Sequence, residues 1–515
     1  MHAYTSAQSK ALDLAAQSQG IGGFDLMLRA GFSAFQQIGA HYDAARSLLV
    51  LAGKGNNGGD AWVVAGAALA AGWQVYLWQV TGDPEDFRGE AAAARDWALA
   101  RGVGDVLVDR EAIDSLGLDA PEHAQSMIVV DGLLGTGLQG APRPDIANAI
   151  DWLNSKEINV VALDVPSGLN ADNGAAAGAL VRSALTVTFI GMKLGLLTGR
   201  GPGCAGQIVL ENLGVDVQRL IQTVATGDLT QGCPVLARPV DPLPPRNPLA
   251  YKNQFGHVAV LAGDHGGGGA ALLAAEAALR IGAGLVSVGT RALHVPGFLA
   301  RRPELMAQDV DSKLAALQLL EPASVLLVGP GLGQSAWGEQ LYAAAVDTMN
   351  RSSESGQHAI SAAIVDADAL NLVSAGAPLP QRSVITPHPG EAARLLGCVV
   401  KDIEADAVGA VCELAVRFNC IAVLKGPGSL VADCSGLKYV CALGNPGMAT
   451  AGMGDVLAGI VAGVVAQQTL DTYWVARAVQ FHAAAGDLAA ATLSEHSLLA
   501  ADVIDQLPTI MRGEN

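Results

Sequence analysis

Short runs of consecutive valine, isoleucine, leucine and alanine recur along the whole 515-residue chain, each closed by glycine and polar residues and followed by a stretch of helical period. In the first part they are SLLVLAG, WQVYLWQV, MIVVDGLLGTG, INVVALDVPSG and LTVTFIGM; later come HVAVLAG, LVSVGT, SVLLVGPGLG, AAIVDADAL, SVITPHPGE and IAVLKGPGSLVAD. A strand without polar alternation has both faces covered, so the pattern predicts parallel sheets sandwiched between helices. The 62 glycines and the scarcity of aromatics suit an α/β chain with many tight strand-to-helix turns.

The rhythm breaks once. Arg238 to Pro248 reads RPVDPLPPRNP, with five prolines, and cannot be the interior of a strand or helix. It is either a linker or the entry strap of a second domain, and the expected division is residues 1–222 and 223–515. The two halves share a style but no register of motifs, so no duplication is implied.

A net charge of −18 argues against a duplex-binding surface, which needs a basic field. The seven cysteines form no C-x-x-C pair and read as reduced thiols. The N-terminus has no basic stretch followed by an apolar core, and runs such as LAGIVAGVVA from Leu457 fall short of the ~20 residues a membrane span needs. The expectation is a cytoplasmic protein with neither nucleic acid nor membrane as partner.

In an open parallel sheet, ligands collect outside the carboxyl ends of the strands. Three such ends in the first half carry oxygen-rich loops: KGNNGGD (Lys54–Asp60), DGLLGTGLQG (Asp131–Gly140) and DVPSG (Asp164–Gly168). Gly53, Gly55 and Gly58 also have dinucleotide-loop spacing, a weak signal alone. Asn56, Asn57 and Asp60 are either helix caps or ligand contacts. The Gly135–Gly140 stretch offers bare amides to a diphosphate, and Asn57, Asp131 and Ser167 offer oxygens to a hard cation.

In the second half, GNPGMATAGMGDVLAGIVAGVV sets Asp455 after a glycine turn at a helix start. Such a turn makes an anion hole, and a carboxylate beside it is placed to take a proton from a hydroxyl attacking phosphorus. Lys425 to Ser429 (KGPGS) suits nucleotide phosphate or a plain turn. His388 sits between two prolines, and Asp366 and Asp368 follow a strand, at least one of them as a helix cap. Three other readings stand beside this one. The first is an oxidoreductase with Asp83 loosely placed for the ribose. The second is a vitamin or sugar kinase using the GMGD loop, and the third a non-catalytic binding module in the first half.

In combination and order, the motifs resemble the bifunctional NAD(P)H-hydrate repair enzymes, the YjeF family. GNNGGD, DGLLGTG and DVPSG are similar to their NAD(P)HX epimerase domain, and GPGLG, DADAL, TPHPGE, LKG and NPGMATAGMGD to their dehydratase domain. The resemblance implies an α/β protein with a Rossmann-like three-layer N-terminal domain and a ribokinase-like C-terminal one. It makes the nicotinamide nucleotide a damaged substrate rather than a redox cofactor. Asn56, Asn57, Gly58, Gly59 and Asp60, the loop Gly135, Thr136, Gly137, Leu138, Gln139 and Gly140, and Asp164 would contact the hydrate in the epimerase. Asn57, Asp131 and Ser167 would hold potassium. Ala270, Gly331, His388 and Asp455 would contact the hydrate in the dehydratase. Lys425, Gly426, Pro427, Gly428, Ser429 and Gly454 would hold ADP, accompanied by Mg2+. The catalytic candidates are Asp455 and Asp164, the partners are NADHX, NADPHX and ADP, and the expected assembly is a homo-oligomer. GGDA replaces the family's GGDG, LMLRAG lacks its glutamate, and YKNQFGHV lacks a glycine after Lys252.

Overall fold

A computed structural model describes residues 1–118, 126–223, 233–355 and 360–513, which divide into two compact units, Met1–Pro234 and Val235–Asn515. The boundary expected at 222/223 adjoins residues 224–232, which lie outside those described.

The first unit opens with strand β1 (His2–Tyr4) and helices α1 (Ser6–Ser18) and α2 (Gly23–His41). β2 (Ser47–Ala52), α3 (Asn56–Ala70), β3 (Gln74–Gln79) and α4 (Gly89–Leu99) follow. Then come β4 (Met127–Gly132), α5 (Pro144–Asn154), β5 (Asn159–Leu163), β6 (Leu185–Phe189), β7 (Met192–Lys193) and β8 (Gln207–Glu211). Six strands form a wholly parallel sheet in the order β3-β2-β4-β5-β6-β8. The unbroken apolar runs are explained by β2: Leu48, Val50 and Ala52 enter the core shared with α2, α3 and α4, while Leu49 and Leu51 enter the opposite core with Ile146 and Ile150 of α5. Both faces are dry, which makes the unit a three-layer, Rossmann-like sandwich. The strand order reverses between β2 and β4, so the crevice for a ligand opens there.

In the second unit, β9 (His257–Leu261), α6 (Gly268–Arg280), β10 (Leu285–Thr290), β11 (Met306–Asp309) and β12 (Val325–Val328) come first. β13 (Ala362–Val365), α7 (Asp368–Ser374), β14 (Ser383–Ile385), α8 (Pro389–Leu396) and β15 (Ile421–Leu424) continue the alternation. β16 (Leu430–Asp433), β17 (Gly436–Cys441) and helices α9 (Met453–Gln467), α10 (Thr472–Leu493) and α11 (Ala500–Met511) complete the unit. The order is β11-β10-β9-β12-β13-β14-β15-β16-β17, parallel as far as β15 and antiparallel for the last two pairs. Its switch point lies between β9 and β12. Helix α9 presses on α6 so closely that a Cβ on Gly459 would meet the Ala274 carbonyl oxygen at 2.1 Å.

The proline-rich stretch is a strap belonging to the second unit. Val240 is buried in that unit's core. Buried side chains of α10 serve carbonyls on the strap: Gln480 Nε2 donates to Ala237 O at 2.6 Å, and Arg477 Nη2 donates to Asp241 O. A segment poor in backbone donors is thus held through its acceptors. Among the described residues no helix is long and apolar enough to cross a membrane, and all seven cysteines are free.

Of the three spaced glycines after β2, two are packing devices. A Cβ on Gly58 would lie 1.8 Å from Gly53 O, and one on Gly53 would lie 2.0 Å from Leu133 O; nothing stands within 4 Å of a Cβ on Gly55. Gly58→Ala should therefore cost about 2–3 kcal/mol of first-unit stability, whereas Gly55→Ala should stay within about 0.5 kcal/mol. Denaturant unfolding of the two variants checks this, and equal effects would contradict the packing account.

Candidate active sites

At the crevice of the first unit, three strand ends converge. Asp131 closes β4, is wholly buried, and accepts from Ser167 Oγ at 2.6 Å, Ser167 N–H at 2.8 Å and Leu133 N–H at 3.2 Å. These donors are neutral, and burial pushes its carboxyl up to about 6. Asn57, in the first turn of α3, donates through Nδ2 to Leu134 O at 2.7 Å, while its buried Oδ1 has no hydrogen-bond partner. Asn57, Asp131 and Ser167 are thus brought together by Leu133–Leu134. An orphaned carbonyl oxygen beside a buried carboxylate with only neutral partners is a donor set that fits a monovalent cation. The loop 135–140 continues from this point, and a Cβ on Gly135 would lie 3.3 Å from Asn57 Cβ.

A second cluster in this unit surrounds Asp164, which follows β5 in the left-handed region at φ 63°. Its Oδ1 accepts from Thr188 Oγ1 at 3.1 Å, Phe189 N–H at 3.3 Å and the ammonium of Lys193. Lys193 is 3% exposed and also donates to Phe189 O at 2.8 Å. Asp60, on α3, is pushed well above the ordinary carboxylate range by burial, then by the charges of Asp164 and Asp13, with Lys193 opposing. Lys193 escapes a motif-by-motif reading. Its signal is a lone cation inside the apolar stretch TFIGMKLGLL, where an unpaired charge would be costly.

In the second unit, Asp455 lies in the first turn of α9, after Gly452 in the left-handed conformation at φ 89°. Its carboxyl is pushed up to about 7 by burial and the nearby charge of Asp366, partly offset by Lys425, with Asp368 and Glu391 adding to the rise. Asp366, just after β13, is 1% exposed; Lys425 Nζ donates to its Oδ1 at 2.8 Å and lies 3.7 Å from Glu391 Oε2. A Cβ on Gly454 would stand 3.2 Å from that Nζ, so glycine permits α9 to begin against the lysine. The ammonium expected for phosphate is thus engaged by two carboxylates, while the rest of its loop forms a turn closed by Ser429 Oγ donating to Gly426 O at 3.0 Å.

His388 has a structural task as well. Its Nδ1 accepts from Gly390 N–H at 3.0 Å, and its own N–H donates to Glu391 Oε2 at 2.8 Å, capping α8. Its imidazole is lowered by burial and by the positive charges of Lys425 and Arg394, so it is neutral near pH 7, and half its side chain stays exposed. Gly331 and Ala270 flank the switch point: Asp264 N–H donates to Gly331 O at 2.7 Å, and Ala270 stands in the first turn of α6. Neither Asp366 nor Asp368 caps α7 as the sequence suggests: the cap is Ala367, with no side-chain hydrogen bond, and the Asp368 carboxylate instead accepts from Gly333 N–H in the loop after β12 at 2.8 Å. Glu391, which sequence reading passes over, is the residue joining the α8 cap to Lys425. Among the described residues no three of His, Cys, Asp and Glu form a metal-holding group. Two other concavities, of about 490 and 400 Å³, contain none of the expected site residues.

Known proteins resemble this chain in both of its units. Residues 23–195 match the family model for the YjeF-related protein N-terminus, and residues 258–509 match that for NAD(P)H-hydrate dehydratase. The ADP/ATP-dependent NAD(P)H-hydrate dehydratase structure from Bacillus subtilis is 29% identical, covering 54% of this chain and 99% of its own, with a TM-score of 0.47. The bifunctional NAD(P)H-hydrate repair enzyme of Coxiella burnetii is 37% identical over 99% of both chains. That of Escherichia coli is 40% identical over 97% of this chain and 92% of its own. With such identity over nearly the full length of both relatives, this chain belongs to the bifunctional NAD(P)H-hydrate repair enzymes.

Proposed function

We propose that the first unit interconverts the R and S hydrates of NADH and NADPH and that the second dehydrates the S hydrate at the expense of ADP. Family membership supports the pair of activities. The observation that carries the chemistry is Asp455, a carboxylate with its pKa near 7 at the start of a glycine-led helix. We assign epimerisation to residues 1–222 and dehydration to 223–515; the two family matches fall on either side of that boundary. Free thiols throughout support a cytoplasmic setting.

The hydrate carries a hydroxyl at C6 of the nicotinamide ring, and hydroxide is a poor leaving group. In the second unit, Asp455 takes the hydroxyl proton as that oxygen attacks the terminal phosphorus of ADP, releasing AMP. The ring nitrogen's electron pair then expels phosphate from C6, and loss of a proton from C5 completes NAD(P)H. The amides at the start of α9 stabilise the charge gathering on the transferred phosphoryl group. With no protein cage among the described residues, Mg2+ would arrive on the nucleotide's phosphates and neutralise their charge. The open turn of residues 426–429 and Gly454 is where the nucleotide would lie, and Ala270, Gly331 and the exposed side of His388 would meet the hydrate.

In the first unit, inversion at C6 proceeds by opening and closing the ring. The hydroxyl proton leaves and its electrons form the carbonyl as the C6–N1 bond breaks, and N1 takes up a proton; closure on the other face reverses both transfers. Asp164 and Lys193 supply the acceptor and the donor. Asn56 to Asp60 and the 135–140 loop would hold the nucleotide. Potassium on Asn57, Asp131 and Ser167 would fix the loops that cradle its diphosphate.

A base with its pKa near 7 must be ionised to act, so dehydration should rise as pH passes through about 7 and level off above it. Asp455→Asn should lower the dehydration rate by ~10² or more, remove that limb and leave epimerisation intact. Near-normal dehydration by the folded variant would overturn the assignment.

Exchanging potassium for a bulky organic cation should slow epimerisation and spare ADP-dependent dehydration of the S hydrate. Asp131→Ala should weaken hydrate binding in the first unit in either buffer. A crystal grown in potassium that shows only water between Asn57, Asp131 and Ser167 would refute the ion site.

A further inference from the structure

The motif GNPGMATAGMGD ends in Asp455, but its first half, Gly444 to Ala449, carries no acid, base or cation. This half is fastened to α10. The Asp487 carboxylate accepts from Gly444 N–H through Oδ2 at 3.2 Å and from Asn445 Nδ2 through Oδ1 at 3.0 Å. Asn445 passes the hold forward: its Oδ1 accepts from Gly447 N–H at 3.1 Å and so caps the short turn Pro446–Met448. Met448 then packs on α10 beside Asp487, where a Cβ on Gly486 would meet its Sδ at 2.5 Å. One turn earlier on the same helix, buried His482 hydrogen-bonds the backbone of Met453, the first residue of α9. Successive turns of α10 thus hold both ends of the segment that delivers Asp455 and the amides of α9.

We propose that Asp487 is a positioning residue for dehydration, fixing residues 444–452 so that Asp455 and the α9 amides meet the transferred phosphoryl group in one geometry. The inference rests on the dehydratase reading of the second unit. The segment needs an outside anchor. Gly444 and Gly452 both lie in the left-handed region, at φ 104° and 89°, and two glycines so placed leave the chain between them many ways to turn. A carboxylate suits the task, because it offers two oxygens to two donors at once and its charge strengthens both bonds. Asp487 is itself well held, since it projects from a helix whose preceding turn, Ala483 to Gly486, is buried. Electrostatic stabilisation of a phosphoryl group depends on donors aimed before the reaction, so a loosened segment costs rate rather than affinity.

The test measures ADP-dependent dehydration of the purified S hydrate by the absorbance of regenerated NADH, using the full-length protein. Asp487→Ala and Asn445→Ala should each lower kcat about tenfold, with KM for the hydrate within about twofold and the unfolding midpoint close to wild type. The double variant should fall no further than either single one, because the two side chains act through one connection. The limb near pH 7 that reports Asp455 should stay in place. Asp487→Asn, which keeps one acceptor oxygen, should fall between wild type and Asp487→Ala, and it carries the test should the alanine variant fail to fold. A wild-type kcat in the Asp487 variants overturns the inference, as does a double variant slowed about a hundredfold, the sign of two independent roles. A lowered kcat that recovers on cooling, together with a lowered unfolding midpoint, would mark a merely structural role and overturn it too. Absence of ADP-dependent dehydration by wild type would instead overturn the dehydratase reading itself.

Discussion

A sheet covered on both faces leaves polar side chains few places to go, and in both units they gather at the carboxyl ends of the strands. β2 sends alternate residues into two separate cores, so none of its positions is free to carry chemistry. The functional groups begin where the strand stops: Asn57 after β2, Asp131 at the end of β4, Asp164 after β5, Asp366 after β13 and Lys425 after β15. Glycine makes the stops sharp enough for these ends to meet. Gly53 and Gly58 let α3 approach β4, Gly454 lets α9 start against Lys425, and Gly459 lets α9 settle on α6.

The two sites share an electrostatic plan. Each places one largely buried lysine among more carboxylates than it can neutralise: Lys193 with Asp164, Asp60 and Asp13, and Lys425 with Asp366, Glu391 and Asp455. Burial and mutual repulsion then force a carboxylate in each group to keep its proton to unusually high pH. Asp60 occupies that position in the first unit and Asp455 in the second. At Asp455 the rise to about 7 lets the carboxyl exchange a proton near neutrality, which is the property acid–base chemistry on a hydroxyl requires.

Much of this was legible in the residues. The covered strands predict the layers, and the ends of three runs pick out Asn57, Asp131 and Ser167 before any fold is known. Asp455 is legible because its helix start and glycine turn are adjacent in the chain. Lys193 and Glu391 were not, because each acquires its role only through a partner 29 or 34 positions away that folding brings in: Lys193 meets Asp164, and Glu391 meets Lys425. The prolines of the strap forbid regular structure but do not say what holds them; that depends on Arg477 and Gln480, deep in another helix. For His388 the sequence leaves a ligand contact and a structural role equally open, and the folded histidine caps a helix with one edge while half its side chain stays exposed.

The backbone at Asp164 has one more implication. A residue with a side chain in the left-handed region costs about 1 kcal/mol relative to glycine, less for aspartate than for most. Ala367, immediately after Asp366 in the other site, is held at φ 50°. Each unit thus stores local strain beside its key carboxylate, where a glycine would relax the chain. Glycine at position 164 would relax the backbone but strand the buried Lys193 ammonium without its ion-pair partner, a loss of about 3–5 kcal/mol that outweighs the gain. The contorted turn is therefore kept in place by a charge that arrives from further along the chain, and its cost is recovered in the folded state rather than at the turn itself.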